Sequence, residues 1–178
     1  MALDNQIVLE KLTAKFGEAV QADPASLDIL AVIADRSIVR ELLKFLHEDA
    51  ELRFSFFTDI CGAHYPENQP AQQFGVIYHL HNWQDNIRIR VKTLLPADAP
   101  VVDSVADMFL CANWCERETY DFYGIEFKGH PDLRRILNMD EMTSFPLRKE
   151  FQMEDPYRTD KDDRYFGRIP QTNNVALN

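Results

Sequence analysis

The stretch from Phe74 to Leu95 constrains the fold more than any other part of the chain. Phe74–His81 and Ile87–Leu95 have strand character, and Asn82-Trp-Gln-Asp-Asn86 between them predicts a hairpin with a longer turn. In the second strand Ile87, Ile89 and Val91 alternate with Arg88, Arg90 and Lys92. Successive side chains on a strand point to opposite faces, so the sheet has one dry face and one wet face.

The upstream sequence supplies what covers the dry face. Residues 4–16 carry a rough apolar stripe of Ile7, Leu9, Leu12 and Phe16, with Gly17 as a plausible stop. Leu27–Ala34 is short, β-branched and nearly continuous in apolar character, which predicts a buried strand. Asp35 and Ser37 offer N-caps for a helix whose apolar positions are Ile38, Leu42, Phe45 and Leu46. Residues 52–60 predict a further strand, and 61–72, with Gly62, Pro66, Asn68 and Pro70, a loop. Helices on one face of a mainly antiparallel sheet make a two-layer α+β sandwich, expected over residues 1–127. Ser104-Val-Ala-Asp107 resembles a capping box that would open a helix. A helix is also expected over Ala112–Tyr123, closed by Gly124.

After Phe127 periodicity fades, and residues 128–178 are expected to form an extended arm and tail. From Glu150 onward the chain is too polar to bury itself, so this tail is expected to be disordered or laid across a partner.

Composition excludes several functions. A net charge of −10 disfavours phosphate backbones and anionic lipid, so no nucleic-acid partner is expected. The longest apolar run, Ile29–Ala34, is far short of a membrane span, so any membrane association must run through another protein. Met-Ala-Leu-Asp-Asn-Gln does not form a signal peptide. Cys61, Cys111 and Cys115 include no CxxC and are expected to be small buried hydrophobes. His79 and His81 share one strand face, but two imidazoles without a third ligand do not make a metal site.

The densest constellation runs from Asn113 to Leu137 and resumes at Pro146-Leu-Arg-Lys149. On a helix, Cys111, Cys115, Glu118 and Phe122 share a stripe, which places Glu118 among apolar neighbours. A carboxylate there needs a partner, and Arg134 and Arg135 lie beyond a Gly-His-Pro turn from which they can fold back to it. Arg117 and Asp121 form an i,i+4 pair. Pro131 keeps His130 extended, and Gly124 and Gly129 permit tight bends. Trp114, Tyr120, Phe122 and Tyr123 are expected in the core. An acid/base enzyme using Glu116, Glu118, Asp121 and His130 is conceivable. Against it, no nucleophile has an adjacent base, and each carboxylate has an arginine or lysine within a few residues to keep it ionised.

The run Trp114-Cys-Glu-Arg-Glu-Thr-Tyr-Asp-Phe-Tyr-Gly-Ile-Glu-Phe-Lys-Gly-His-Pro-Asp-Leu-Arg-Arg-Ile-Leu137, followed by Pro146-Leu-Arg-Lys-Glu-Phe151, resembles the signature of the 30 kDa subunit family of respiratory complex I, a component of NADH-quinone oxidoreductase in bacteria. Val76-Ile-Tyr-His-Leu80 also resembles the family, and the resemblance covers about residues 5–155. It implies a scaffold subunit of the hydrophilic arm, peripheral on the cytoplasmic face of the bacterial inner membrane, within a proton-translocating complex. It further implies that FMN, iron–sulfur clusters and quinone belong to partner subunits, with none held in this chain, and that the chain packs on the 49 kDa-type subunit of the complex. The motif set it carries over is Glu116, Arg117, Glu118, Asp121, Gly124, Gly129, His130, Pro131, Arg134, Arg135, Pro146, Leu147, Arg148 and Lys149, with architectural and contact roles and no catalytic, cofactor or metal role. Equivalent subunits of membrane-bound hydrogenases or ferredoxin-linked complexes fit the same pattern.

Overall fold

The computed structural model describes residues 3–151. Helix α1 (Asn5–Phe16) is capped by Asp4, whose carboxylate accepts the Ile7 N–H at 2.8 Å. Then come strands β1 (Val20–Ala22) and β2 (Leu30–Ala34), helix α2 (Val39–Glu48), and strands β3 (Phe56–His64), β4 (Phe74–Asn82) and β5 (Ile87–Leu95). Strand β6 (Val101–Asp103), helix α3 (Ala112–Tyr123) and strand β7 (Glu126–Lys128) complete the order.

The main sheet runs β1-β2-β5-β4-β3. All its pairings are antiparallel except β2 with β5, where Leu30 lies beside Ile89 and Val32 beside Val91. Strands β6 and β7 form a separate parallel pair. The architecture is α+β, as the alternating pattern requires. Ile89 and Val91 are fully buried on the dry face beside Val76, Tyr78 and Leu80, and α2 sets Val39, Leu42, Leu43 and Leu46 against the same core. Each such aliphatic side chain contributes roughly 1.5–3 kcal/mol of burial.

The predicted hairpin is present, and the Asn82 side-chain oxygen closes it by accepting the Gln84 and Asp85 N–H groups at 2.8 and 3.1 Å. Several elements differ from expectation. Strand β2 is shorter at its start, with Leu27 almost wholly exposed. Strand β3 begins later and continues through Gly62 to His64, so the loop opens only at Tyr65. Its lead-in is apolar because Leu52 and Phe54 plug the core without pairing. Asp35 caps the turn before α2 through the Ser37 N–H and hydroxyl, and does not cap the helix itself. No helix begins at Ser104. The stretch is held as turns because Arg40 grips Asp107 bidentately at 2.7–2.9 Å and also donates to the Ser104 carbonyl. The expected tail beyond Phe151 lies outside the described residues. No helix among the described residues is long and apolar enough to cross a membrane.

Candidate functional site

Helix α3 lies over β3, and Gly62 makes the approach possible. A Cβ there would sit 2.5 Å from the Tyr123 ring and 3.0 Å from Thr119. The helix ends at Gly124 in the left-handed conformation (φ 69°), with its N–H bonded to the Tyr120 carbonyl. Glycine is needed here for a second reason: a Cβ would meet the Arg148 guanidinium and the Phe145 ring, both at 2.5 Å. The returning arm crosses the helix end at this point.

Asp121 is the centre of the arrangement. Its side chain is fully buried. One oxygen accepts Arg135 Nη1 at 2.8 Å and Asn138 Nδ2 at 3.0 Å, and the other accepts the N–H groups of Ile136, Leu137 and Asn138 at 2.8–3.1 Å. Burial opposes the charge, yet the Asn138 and Leu137 N–H groups and Arg135 hold the carboxyl far below the usual carboxylate range. Arg135 then spreads outward. Its remaining donors reach the carbonyls of Asp121, Met142 and Ser144 at 2.8–3.0 Å, and its guanidinium lies over Phe145. A planar fork can tie three chain segments in this way where a lysine ammonium cannot.

The neighbouring arginines extend the clasp. Arg117 stacks on Trp114 and donates to the Arg134 and Arg135 carbonyls. Arg148 donates to the Tyr123 carbonyl at 2.7 Å and lies between Phe74 and Phe145. The Leu147 N–H reaches the Phe122 carbonyl, and the Lys149 N–H reaches His64 Nδ1 at 3.0 Å.

A second cluster lies at the other end of α3. Glu116 is wholly buried and accepts the Ser104 hydroxyl at 2.6 Å and the Val105 N–H at 2.7 Å. Burial pushes its carboxyl from 4.5 up to about 7 despite those two bonds. His130 Nε2 is 4.0 Å away. The Asp132 N–H donates to His130 Nδ1, so Nε2 carries the proton and donates to the Asn113 carbonyl at 3.1 Å. Both ring nitrogens thereby have a partner, and the side chain is fully buried. Gly129 (φ 85°) makes the turn that delivers it.

Several expectations are corrected. Glu118 is exposed, and the buried carboxylates of α3 are Glu116 and Asp121. Arg135 returns to Asp121 and not to Glu118, while Arg134 stays outside and, among the described residues, pairs with exposed Asp132. Arg117 does not pair with Asp121, because the carbonyls of the arm take its donors. Glu116 departs from the rule that these carboxylates are kept ionised by pairing. Trp114 is 62% exposed, and Cys111 is exposed while Cys61 and Cys115 are half-buried. Of the remaining motif residues, Pro131 and Lys149 are exposed, Leu147 is largely exposed and Pro146 is half-buried. The sequence gives no hint of Asn138, Phe145 or His64 as parts of the clasp, or of Ser104 as the partner of Glu116, since each meets its partner only through chain reversal.

Chemically, Asp121 has five donors on two oxygens and no lone pair left for a substrate. The clasp fastens residues 129–149 to α3, and Leu137, Met139 and Leu147 project to solvent on the arm, with Leu110 and Trp114 exposed at the start of the helix. An α+β domain carrying an arm locked by a buried ion pair, with apolar side chains turned outward, is of the class that works against a neighbouring chain. Its relatives give that class a family. Residues 32–157 match the family described as respiratory-chain NADH dehydrogenase, 30 Kd subunit, and the chain belongs to it. It is similar to the C-type subunit of NADH-quinone oxidoreductase from Hyphomonas neptunium, 38% identical over 85% of this chain and 74% of that one. The counterpart from Roseiflexus sp. is 36% identical over 96% and 98%. A solved structure described as a trypsin-resistant fragment (1-134) of Nqo5 superimposes with a TM-score of 0.61 at 33% identity, covering 72% of this chain and 98% of the fragment.

Proposed function

We propose that this chain is a scaffold subunit of the peripheral arm of a proton-translocating NADH:quinone oxidoreductase, on the cytoplasmic face of the bacterial inner membrane, docking on the 49 kDa-type subunit. Electrons pass through FMN and iron–sulfur clusters to quinone on partner subunits, and none of these groups is held by this chain. The observation that carries the reading is the Asp121–Arg135 clasp. It takes up Asp121 and Arg135 internally while leaving Leu137, Met139 and Leu147 on the outside of an ordered arm. Preordering the arm removes part of the entropy cost of association. Family membership supports the assignment of the partner complex.

The test is a gentle-detergent pull-down from native membranes with identification of the bound chains. Recovery of a 49 kDa-type chain, together with flavin- and NADH-binding chains, is expected. Recovery of the protein only from the soluble fraction, without those chains, would overturn the proposal.

A further inference from the structure

The open face of the sheet carries a cluster that the clasp does not use. In the antiparallel register Asp59 lies directly opposite His79, and Cys61 opposite Ile77. A bulge between Phe57 and Asp59 shifts the alternation of β3, so Asp59 and Cys61 come to the wet face beside His79. The three ligand atoms lie within 4.8 Å of one another. His79 and His81 do not act as a pair, because the His81 ring meets Asn86 at 3.1 Å and packs on Trp83. The neighbouring strand supplies the partners that the sequence of β4 lacks.

We propose that Asp59, Cys61 and His79 form a binding site for a thiophilic divalent cation of the zinc class, with water as the fourth ligand. One thiolate, one imidazole and one carboxylate suit zinc or cobalt(II) and not magnesium or calcium, which prefer all-oxygen sets. Tetrahedral coordination at ordinary bond lengths sets ligand atoms about 3.3–3.8 Å apart, so small side-chain rotations close the site. Burial, and then the Arg90 charge, keep the imidazole neutral, which leaves a lone pair for a metal. Burial and Asp59 hold the Cys61 thiol protonated, so metal binding releases its proton.

The groups facing the cluster include Arg90, whose Nε donates to His79 Nε2 at 3.0 Å, and Lys92, which is taken up by Asp23 at 2.5 Å. Arg90 is the cation that a metal displaces from His79. Once the thiolate and carboxylate have neutralised a divalent ion, little net charge remains to repel the guanidinium.

The experiment uses the full chain, reduced and stripped of metal, titrated with cobalt(II) and back-titrated with zinc. A thiolate-to-cobalt charge-transfer band saturating at one equivalent and bleached by zinc is expected. Cys61→Ser should abolish the band, His79→Gln should weaken cobalt binding at least tenfold, and a Cys111→Ser/Cys115→Ser double variant should retain it. Arg90→Gln should bind more tightly. Unchanged circular dichroism of the Cys61→Ser chain shows that the loss is local. No band in excess cobalt, a band that survives Cys61→Ser, or weaker binding in Arg90→Gln would overturn the proposal.

Discussion

Arg135 and Asp121 meet at 2.8 Å inside the protein, yet neither is satisfied by the other alone. The carboxylate gathers three consecutive N–H groups, and the guanidinium gathers carbonyls from residues 121, 142 and 144. The pair is therefore a hub of backbone contacts. Asp121→Asn keeps the shape but removes the charge that those donors converge on, and should cost about 3 kcal/mol in urea unfolding. A double-mutant cycle with Arg135→Gln should give a coupling of roughly 1–3 kcal/mol. Additive effects would show that the two residues act separately.

The two adjacent arginines should behave oppositely. Arg135→Ala leaves a buried carboxylate uncompensated and should destabilise the chain by about 3–5 kcal/mol. Arg134 pairs with Asp132 in solvent, where such pairs are weak, and Arg134→Ala should stay within about 0.5 kcal/mol. Equal losses in thermal unfolding would refute the assignment of the clasp to Arg135.

The two buried carboxylates of α3 impose opposite pH dependences. Asp121 is more acidic folded than unfolded, so its contribution is present above about pH 4 and fades as pH falls below it. Glu116 is less acidic folded, at about 7 against 4.5, so the unfolded chain ionises first and stability declines as pH rises from 4.5 to 7. The decline should be on the order of 3 kcal/mol at most. Glu116→Gln should flatten the profile over that window while leaving the acid limb unchanged. A profile that still falls between pH 4.5 and 7 in Glu116→Gln would assign it to another group.

Gly124→Ala meets both a positive φ and a crossing chain. The strain and the displaced Arg148 and Phe145 should together cost about 2–3 kcal/mol and loosen the arm. Limited proteolysis should then cut within residues 129–149 several-fold faster than in the parent. Cleavage at the parental rate would mean that the arm does not depend on this crossing.

The parts legible in the sequence are those governed by local periodicity. The alternation in β5, the stripe of α2 and the αL glycine closing α3 each state a backbone geometry within a few residues. The short strands β1, β6 and β7 are too brief to show a period. Motif membership marked Asp121, Glu116 and Arg135 without revealing who meets whom. Glu118 and Asp121 are both acids on α3, and only the path of the chain after Gly129 decides which becomes buried. Ser37 and Ser104 show the same limit, since a capping residue is recognised by type while its actual acceptor depends on tertiary packing.

The parallel pairing of β2 with β5 orders events during synthesis. Strands β3, β4 and β5 form a contiguous meander that can assemble from neighbours in the chain, whereas β2 finds its inner-side partner only after Ile89 and Val91 have been made. Until then Val32 and the apolar stripe of α2 emerge from the ribosome with only α1 and β1 to cover them. The N-terminal third of the nascent polypeptide is thus the interval in which a holding chaperone has most to shield.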